Sequence, residues 1–290
     1  MKKTVAAILI LTIAIGILAG CSKGTGTDND IEIKIGYFPN MSHAPAMVAL
    51  ENDMFYKFID GISVKVFTFP NGSLFMDALT TGQIDFGYVG PGPVLNRYLQ
   101  GGEVVLLQGA ANGENVLVVR SDLEYSGVAD LEGKIVATAS TGCRHDLILR
   151  KMLNMEGFAV EENGGRVKRM AIQPATTIGM LQQKQIDATL VSEPWATIME
   201  KQGVTRTVVD VRDVPWGGDL PATVFVASKK FLNDYPDVVA KLMEINEKSI
   251  EFINSNKEDA AEIIVKQIKE ITNEDMDRQI VIKAMERIFY

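Results

Sequence analysis

Part of this chain occurs twice, the second copy following the first at a fixed distance. Gln83-Ile84-Asp85 returns as Gln185-Ile186-Asp187, 102 residues later. A short apolar stretch follows each triplet, at 86–89 and 188–191, and each ends near a proline, Pro91 and Pro194. The same offset carries His43 onto His145. Each half reads strand, helix, strand, helix, strand: 33–37, 44–52, 64–69, 73–81 and 84–89, then 135–139, 144–156, 167–172, 176–183 and 187–191. Strands that alternate with helices predict parallel pairing and α/β architecture. One triplet could arise by chance. The triplet, the element order and the histidines at a single offset point to two related lobes.

A chain of 290 residues has room for two such units. Two Val-rich runs lie outside the repeat, at 115–120 and 222–227, and read as strands that carry the chain from one lobe to the other and back. The expected division is 31–114 with 222–290 for lobe 1 and 115–221 for lobe 2. From Tyr235 the pattern is helical: 237–254 places Val238, Leu242, Ile245, Ile250 and Ile253 near one face, a second helix covers 257–269, and a third begins near Asn273. Ile288-Phe289-Tyr290 ends the chain without a cap or a polar tail, as a truncation would.

The first 30 residues read differently. Lys2 and Lys3 precede a nearly unbroken apolar run of 14 residues, Val5 to Leu18. That is the length of a secretory h-region and short for a membrane-spanning helix. Leu18-Ala19-Gly20-Cys21 looks like a bacterial lipobox, which makes 1–20 a signal peptide and Cys21 the lipidated N-terminus. An uncleaved anchor helix is the bland alternative. Residues 21–30 are rich in Gly, Thr, Asp and Asn and read as a flexible tether. Processing would take the net charge from −8 to −10, because two lysines leave with the leader. An acidic chain lacks the basic footprint of a nucleic-acid binder. With two cysteines in all, Cys143 would remain as one free thiol, without an internal disulfide.

Several short motifs, in a fixed order, resemble one family. They are Ile35-Gly36-Tyr37-Phe38-Pro39 with Ala44-Pro45, Asn71-Gly72-Ser73, Gly82-Gln83-Ile84-Asp85-Phe86-Gly87, Gly90-Pro91-Gly92-Pro93, Asp130-Leu131-Glu132-Gly133-Lys134 and Glu193-Pro194-Trp195. Over 31–254 the chain resembles the substrate-binding lipoproteins of ABC importers, in the group for aliphatic sulfonates, taurine or nitrate. Thiamine-pyrimidine-precursor binders share that fold. The resemblance implies a two-lobed periplasmic-binding-protein type II fold. Each lobe would be a mostly parallel sheet flanked by helices, with the ligand between lobes that close by a hinge.

The residues suggest the same chemistry independently. Ligands of parallel α/β sheets bind beyond the carboxyl ends of the strands. Three strand-to-helix junctions are rich in small and hydroxyl residues: Asn71-Gly72-Ser73, Ser140-Thr141-Gly142-Cys143, and Ala175-Thr176-Thr177. A helix start offers free N–H groups and partial positive charge to an anion. Arg144 adds a planar donor fork at the second junction, beside His145. Ordinary N-capping is the competing reading of each junction. Gly87 to Pro93 has neither Walker nor Rossmann spacing and reads as a tight turn on the cleft floor, with Gly90 and Pro91 near ligand. Tyr37, Phe38, Tyr88, Trp195 and Trp216 stand near strand ends and divide between core packing and ligand contact, Trp195 being the strongest candidate. Glu193 and Asp219 could hold a ligand ammonium or pair with Lys or Arg. The expected ligand set is thus Tyr37, Asn40, His43, Asn71, Gly72, Ser73, Gly90, Pro91, Thr141, Gly142, Cys143, Arg144, His145, Thr176, Glu193, Trp195 and Asp219.

Cys143, His43 and His145 are types that bind zinc, but no compact spacing joins them, so no metal or other cofactor is expected. Cys143 and His145 point apart on a helix, and no third group completes a nucleophilic constellation. The pyrimidine-precursor synthases that share the fold carry a cysteine-rich run that is missing here. The leading expectation is a non-catalytic, membrane-anchored extracytoplasmic receptor, monomeric, that hands a small anionic solute to an ABC permease. A pyrimidine-like heteroaromatic stacked on Trp195 or Tyr88 is the alternative ligand, and an exported enzyme the alternative class.

Overall fold

A computed structural model describes residues 31–290. The leader-like run, Cys21 and the tether lie outside the described residues. The first half comprises β1 (Ile31–Tyr37), α1 (Ala44–Glu51), α2 (Met54–Phe58), β2 (Ile62–Thr68), α3 (Gly72–Thr81), β3 (Phe86–Val89) and α4 (Pro91–Leu99), followed by β4 (Val104–Gly113). The second comprises β5 (Asn115–Arg120), β6 (Ile135–Thr138), α5 (Arg144–Met155), β7 (Lys168–Ala171), α6 (Pro174–Gln182), β8 (Ala188–Ser192), α7 (Trp195–Lys201) and β9 (Thr205–Val209). Then come β10 (Pro221–Ser228), α8 (Lys229–Asp234), α9 (Pro236–Ser255), α10 (Lys257–Thr272), α11 (Arg278–Ala284) and β11 (Ile288–Phe289).

The repeated triplet has a structural job, the same in both halves. Asp85 accepts the Lys34 backbone N–H at 2.9 Å, and Asp187 accepts that of Ile135 at 2.9 Å. Each aspartate thus pins the strand that opens its half. The residue just before each glutamine is also matched: Gly82 ends α3 with φ 76°, and Lys184 follows α6 with φ 58°. Both are left-handed C-terminal stops, and the next N–H reaches back to Ala78 O or Met180 O at 2.9 Å.

Two sheets result, in the orders β11-β4-β10-β3-β1-β2 and β7-β6-β8-β5-β9. Apart from β11, the orders correspond strand for strand. Pairing is mixed, which corrects the mostly parallel expectation. β1–β3, β6–β7 and β6–β8 are parallel, whereas β10 runs antiparallel to β3 and β4, and β5 antiparallel to β8 and β9. The reason is connectivity: β5 and β10 are the strands that enter each sheet from the other one. The chain passes between sheets at Glu114 and again just before Pro221. In β5 the side chains alternate, Leu117 and Val119 packing into the core under α5, Val116 and Val118 into the core under α6 and α7. The other sheet packs Phe75, Leu79, Ile84, Val89 and Val226.

Seven elements escaped the sequence reading: α2, α4, β4, α7, β9, α8 and β11. The Gly90-Pro91-Gly92-Pro93 stretch is not a closed turn. Pro91 opens α4, because a proline in the first helical turn loses no hydrogen bond and already has the required φ. Asn273 ends α10 in the left-handed region, and the last helix starts instead at Asp277, whose carboxylate caps Gln279 N at 2.7 Å. α9 and α10 pack on α1, and α11 packs on α7. Among the described residues no helix is long and apolar enough to cross a membrane.

Candidate functional site

Between the two sheets lies a cleft of about 820 Å³. One wall is built by Ser73 and Met76 of α3 with Gly90, Pro91 and Leu95 at the start of α4. Gly142, Cys143, Arg144, His145 and Leu147 at the start of α5 form the opposite wall, and Trp216, Pro221 and Ala222 close the side. The starts of α3, α4 and α5 therefore converge, as expected beyond the carboxyl ends of β3 and β6. α3 and α4 can meet closely only because Gly72 has no side chain: a Cβ there would stand 2.3 Å from Pro93 Cγ. Proline at positions 91 and 93 leaves α4 few backbone donors, whereas the first-turn N–H groups of α5 lack helical partners by geometry.

Arg144 does not stand free. Its Nη1 donates to Pro221 O at 3.1 Å, and Nη2 donates to Glu114 Oε1. Glu114 is buried and holds φ 65° between β4 and β5. One guanidinium therefore touches both chain passages. Two of its five N–H groups are used, and the rest remain for a ligand. Arg97, the other cation on the cleft, pairs with Asp77.

The histidines are neutral. Burial, reinforced by Arg144, drives each down to about 3. His43 accepts the Phe38 N–H on Nδ1 at 3.2 Å and stacks on the Phe38 ring at 4.6 Å. Its Nε2 therefore carries the hydrogen. His145 turns Nδ1 toward Cys143 Sγ at 3.9 Å, which corrects the expectation that the two point apart: Cys143 is the extended N-cap of α5 and not a helical residue. The buried Nε2 of His145 has no partner among the described residues.

Seven expected residues line the cleft: Ser73, Gly90, Pro91, Gly142, Cys143, Arg144 and His145. The others are occupied or placed elsewhere. Tyr37 is buried with its hydroxyl on Gln267 Oε1, and burial pushes it up to about 12. Asn40 accepts from Ser42, Asn71 caps α3 through Leu74 N at 3.0 Å, and Thr141 accepts from Arg169. Even Gly142, within the cleft, spends its N–H on the buried Asp146 carboxylate at 2.7 Å. Thr176 and Asp219 are outside the lining. Glu193 is buried against Arg287 at 2.8 Å and Thr197 N at 3.1 Å, and burial raises its pKa. It has no free oxygen for a ligand ammonium. Tyr88 lies buried against Phe225 and offers no face to a ligand, whereas Trp195 is half-buried against the core beside α7 and stands outside the cleft lining.

The sequence reading did not find Leu95, Leu147, Met76 and Arg97. Trp216 was among the aromatics named, yet not among the expected ligands. It sits on the cleft with φ 69°, 53% exposed, while Leu95 and Leu147 are 57% and 53% exposed. Large apolar side chains left open in a helix's first turns were the available clue. Among the described residues no group of three or more His, Cys, Asp or Glu is placed to hold a metal ion. A second hollow of about 700 Å³ lies near Lys34, Asp85, Lys230 and Asp234, at the other end of the first sheet.

The sequence pattern of the NMT1-like family matches residues 26–268. An aliphatic sulfonates-binding protein of Bacillus subtilis (strain 168) is 26% identical over 295 residues, covering 97% of this chain and 81% of its own. Among solved structures, the periplasmic aliphatic sulphonate binding protein SsuA from Escherichia coli superposes with TM-score 0.76 at 17% identity, over 89% of this chain and 83% of the other. The periplasmic nitrate-binding protein NrtA from Synechocystis PCC 6803 gives 0.63 at 20% identity, over 81% and 66%. At such identities the structural likeness is one of fold.

Proposed function

Because the chain belongs to the NMT1-like family, we propose that it is the solute-binding component of an ABC importer, and that it captures a small organic anion between two lobes that close on it. The observation that carries this reading is the cleft itself, where the start of α5 and the remaining N–H groups of Arg144 meet walls of Leu95, Leu147 and Trp216. Backbone N–H groups and a guanidinium suit an oxyanion. The open apolar walls suit an attached hydrocarbon. An alkanesulfonate satisfies both better than nitrate, which has no apolar part. Taurine is less suited, because Glu193 is engaged by Arg287 and Asp219 is off the lining.

The lobes of this reading are 31–114 with 222–290, and 115–221, and they swing about Glu114 and the stretch before Pro221. The lipobox-like Cys21 supports a receptor held by lipid on the outer face of the cell membrane, beside its permease, and this reading takes the receptor as a monomer. The ordering of solute and lobes is offset by buried hydrogen bonds and desolvation of the walls. A heteroaromatic ligand is the second reading, favoured by the open Trp216 ring.

A thermal-shift screen tests these readings, with short alkanesulfonates, taurine, nitrate, sulfate, bicarbonate and pyrimidines. A ligand at about 100 times its dissociation constant adds about 2.7 kcal/mol, which for this size raises the midpoint by roughly 5 °C. A shift with alkanesulfonates supports the proposal. A shift with pyrimidines alone replaces the anion by the second reading.

A further inference from the structure

We propose that Glu114 sets the charge of the solute, so that the cleft admits a monoanion and rejects a dianion. This rests on the anion reading above and goes further, to the discrimination made within that class. Glu114 stands behind Arg144 with its carboxylate on the guanidinium. It cannot swing away easily. Its N–H donates to Arg287 O at 2.8 Å, its carbonyl accepts from Glu193 N at 3.0 Å, and its side chain is buried. The positive charge of Arg144 is therefore already balanced before any solute arrives. The other lining cation, Arg97, is balanced by Asp77. No Lys lines the cleft, and both nearby histidines are neutral.

One negative charge on a solute can be met by the N–H groups at the start of α5 and the unused N–H groups of Arg144. A second negative charge finds no unpaired cation, and it adds to the repulsion from Glu114 and Asp77. The titratable groups facing Glu114 are Arg144 from α5 and Tyr290 from the chain's end. Burial, then the Glu114 charge, raises the Tyr290 pKa far above the ordinary phenol range.

The test compares 1-butanesulfonate with butylphosphonate by isothermal titration calorimetry of the whole protein. The two share chain length and head-group shape. The sulfonate stays a monoanion, whereas the phosphonate, like a phosphoryl group, gains a second charge as the pH rises above about 6. The sulfonate serves as the control for every titration of the protein itself. We expect phosphonate affinity to fall at least tenfold relative to sulfonate over that rise. Glu114→Gln keeps the side-chain length and an oxygen for Arg144 but removes the charge, and it should restore at least tenfold of the dianion's affinity. A flat ratio in the unaltered protein, or a phosphonate that binds more tightly as the dianion, overturns the inference. So does a Glu114→Gln protein that loses both ligands alike, which would make Glu114 a positioning residue only. If that variant does not fold, the pH series on the unaltered protein decides alone. If the sulfonate itself fails to bind, the anion reading and this inference fall together. If it binds with a flat ratio, only the inference does.

Discussion

Arg144 serves two neighbours at once, the buried Glu114 carboxylate and the Pro221 carbonyl, and it still faces the cleft. Replacing it by Ala should weaken an alkanesulfonate by more than tenfold, equivalent to about 1.4 kcal/mol, in a calorimetric titration. Unchanged affinity would remove Arg144 from the site. The same change strands Glu114, so a lower urea midpoint should accompany it. His43 gives a second prediction. Its folded-state value near 3 lies below the unfolded value of 6.5. Between those limits the unfolded chain binds the extra proton, so the stabilising contribution is complete above about pH 6.5 and is lost as pH falls toward 3. The raised Glu193 acts in the opposite sense, its contribution weakening as pH rises past its unfolded value. Urea midpoints from pH 7 down to 4 should therefore fall, and less steeply in His43→Gln, with a slope of up to about 1.4 kcal/mol per pH unit removed. An identical slope would show that His43 does not contribute to it.

At the scale of elements, the first half depends on a glycine pair. Gly36 of β1 and Gly87 of β3 stand opposite each other. A Cβ on Gly87 would lie 2.0 Å from Gly36 O, at a φ of 157°. A methyl there must push β1 and β3 apart. Gly87→Ala should therefore cost about 3 kcal/mol or more, read as a shift in denaturant midpoint. Gly92→Ala, whose Cβ meets nothing within 4 Å, is the matched control. Elements with a strong period or a repeated partner were legible, including the strands closed by Asp85 and Asp187. α4 was not, because its two prolines also fit a turn. β4 and β9 were not, because each is only partly buried and lacks a clean alternation.

At the scale of the whole molecule, the end of the chain ties the sheets together. β11 pairs with β4 of the first sheet, and Arg287 just before it reaches the second. Arg287 donates to Glu193 at 2.8 Å, to Glu200 at 3.2 Å, to Asp210 at 3.2 Å and to Thr207 at 3.1 Å. Phe289 packs under the Arg212 guanidinium, 5.0 Å from its ring, and against Gly113 and Gly218, where a Cβ would collide with it. Tyr290 is buried, with its hydroxyl on Met41 O at 2.7 Å. No local pattern announced these contacts, because the partners of residues 288–290 come from 41, 112–113, 212 and 218. Arg287→Ala leaves Glu193 as a buried, unpaired carboxylate. It should cost roughly 3–5 kcal/mol, measured by urea unfolding. A loss below about 1 kcal/mol would mean that water replaces the guanidinium.

The sequence by itself determined what is local or repeated: two α/β halves, the triplet that closes each, and the junctions where a ligand could sit. These follow from periodicity, from residues with narrow backbone preferences, and from a sign of charge. Tertiary structure alone decided which polar groups were left for a solute. Asn71, Thr141, Gly142 and Glu193 look available in sequence, yet each is engaged by a neighbour in the fold. Arg144 remains at the cleft with Glu114 behind it, a partner 30 positions away that no spacing rule connects. Hydrogen-bond capacity is finite, and only the packed chain shows where it has been spent.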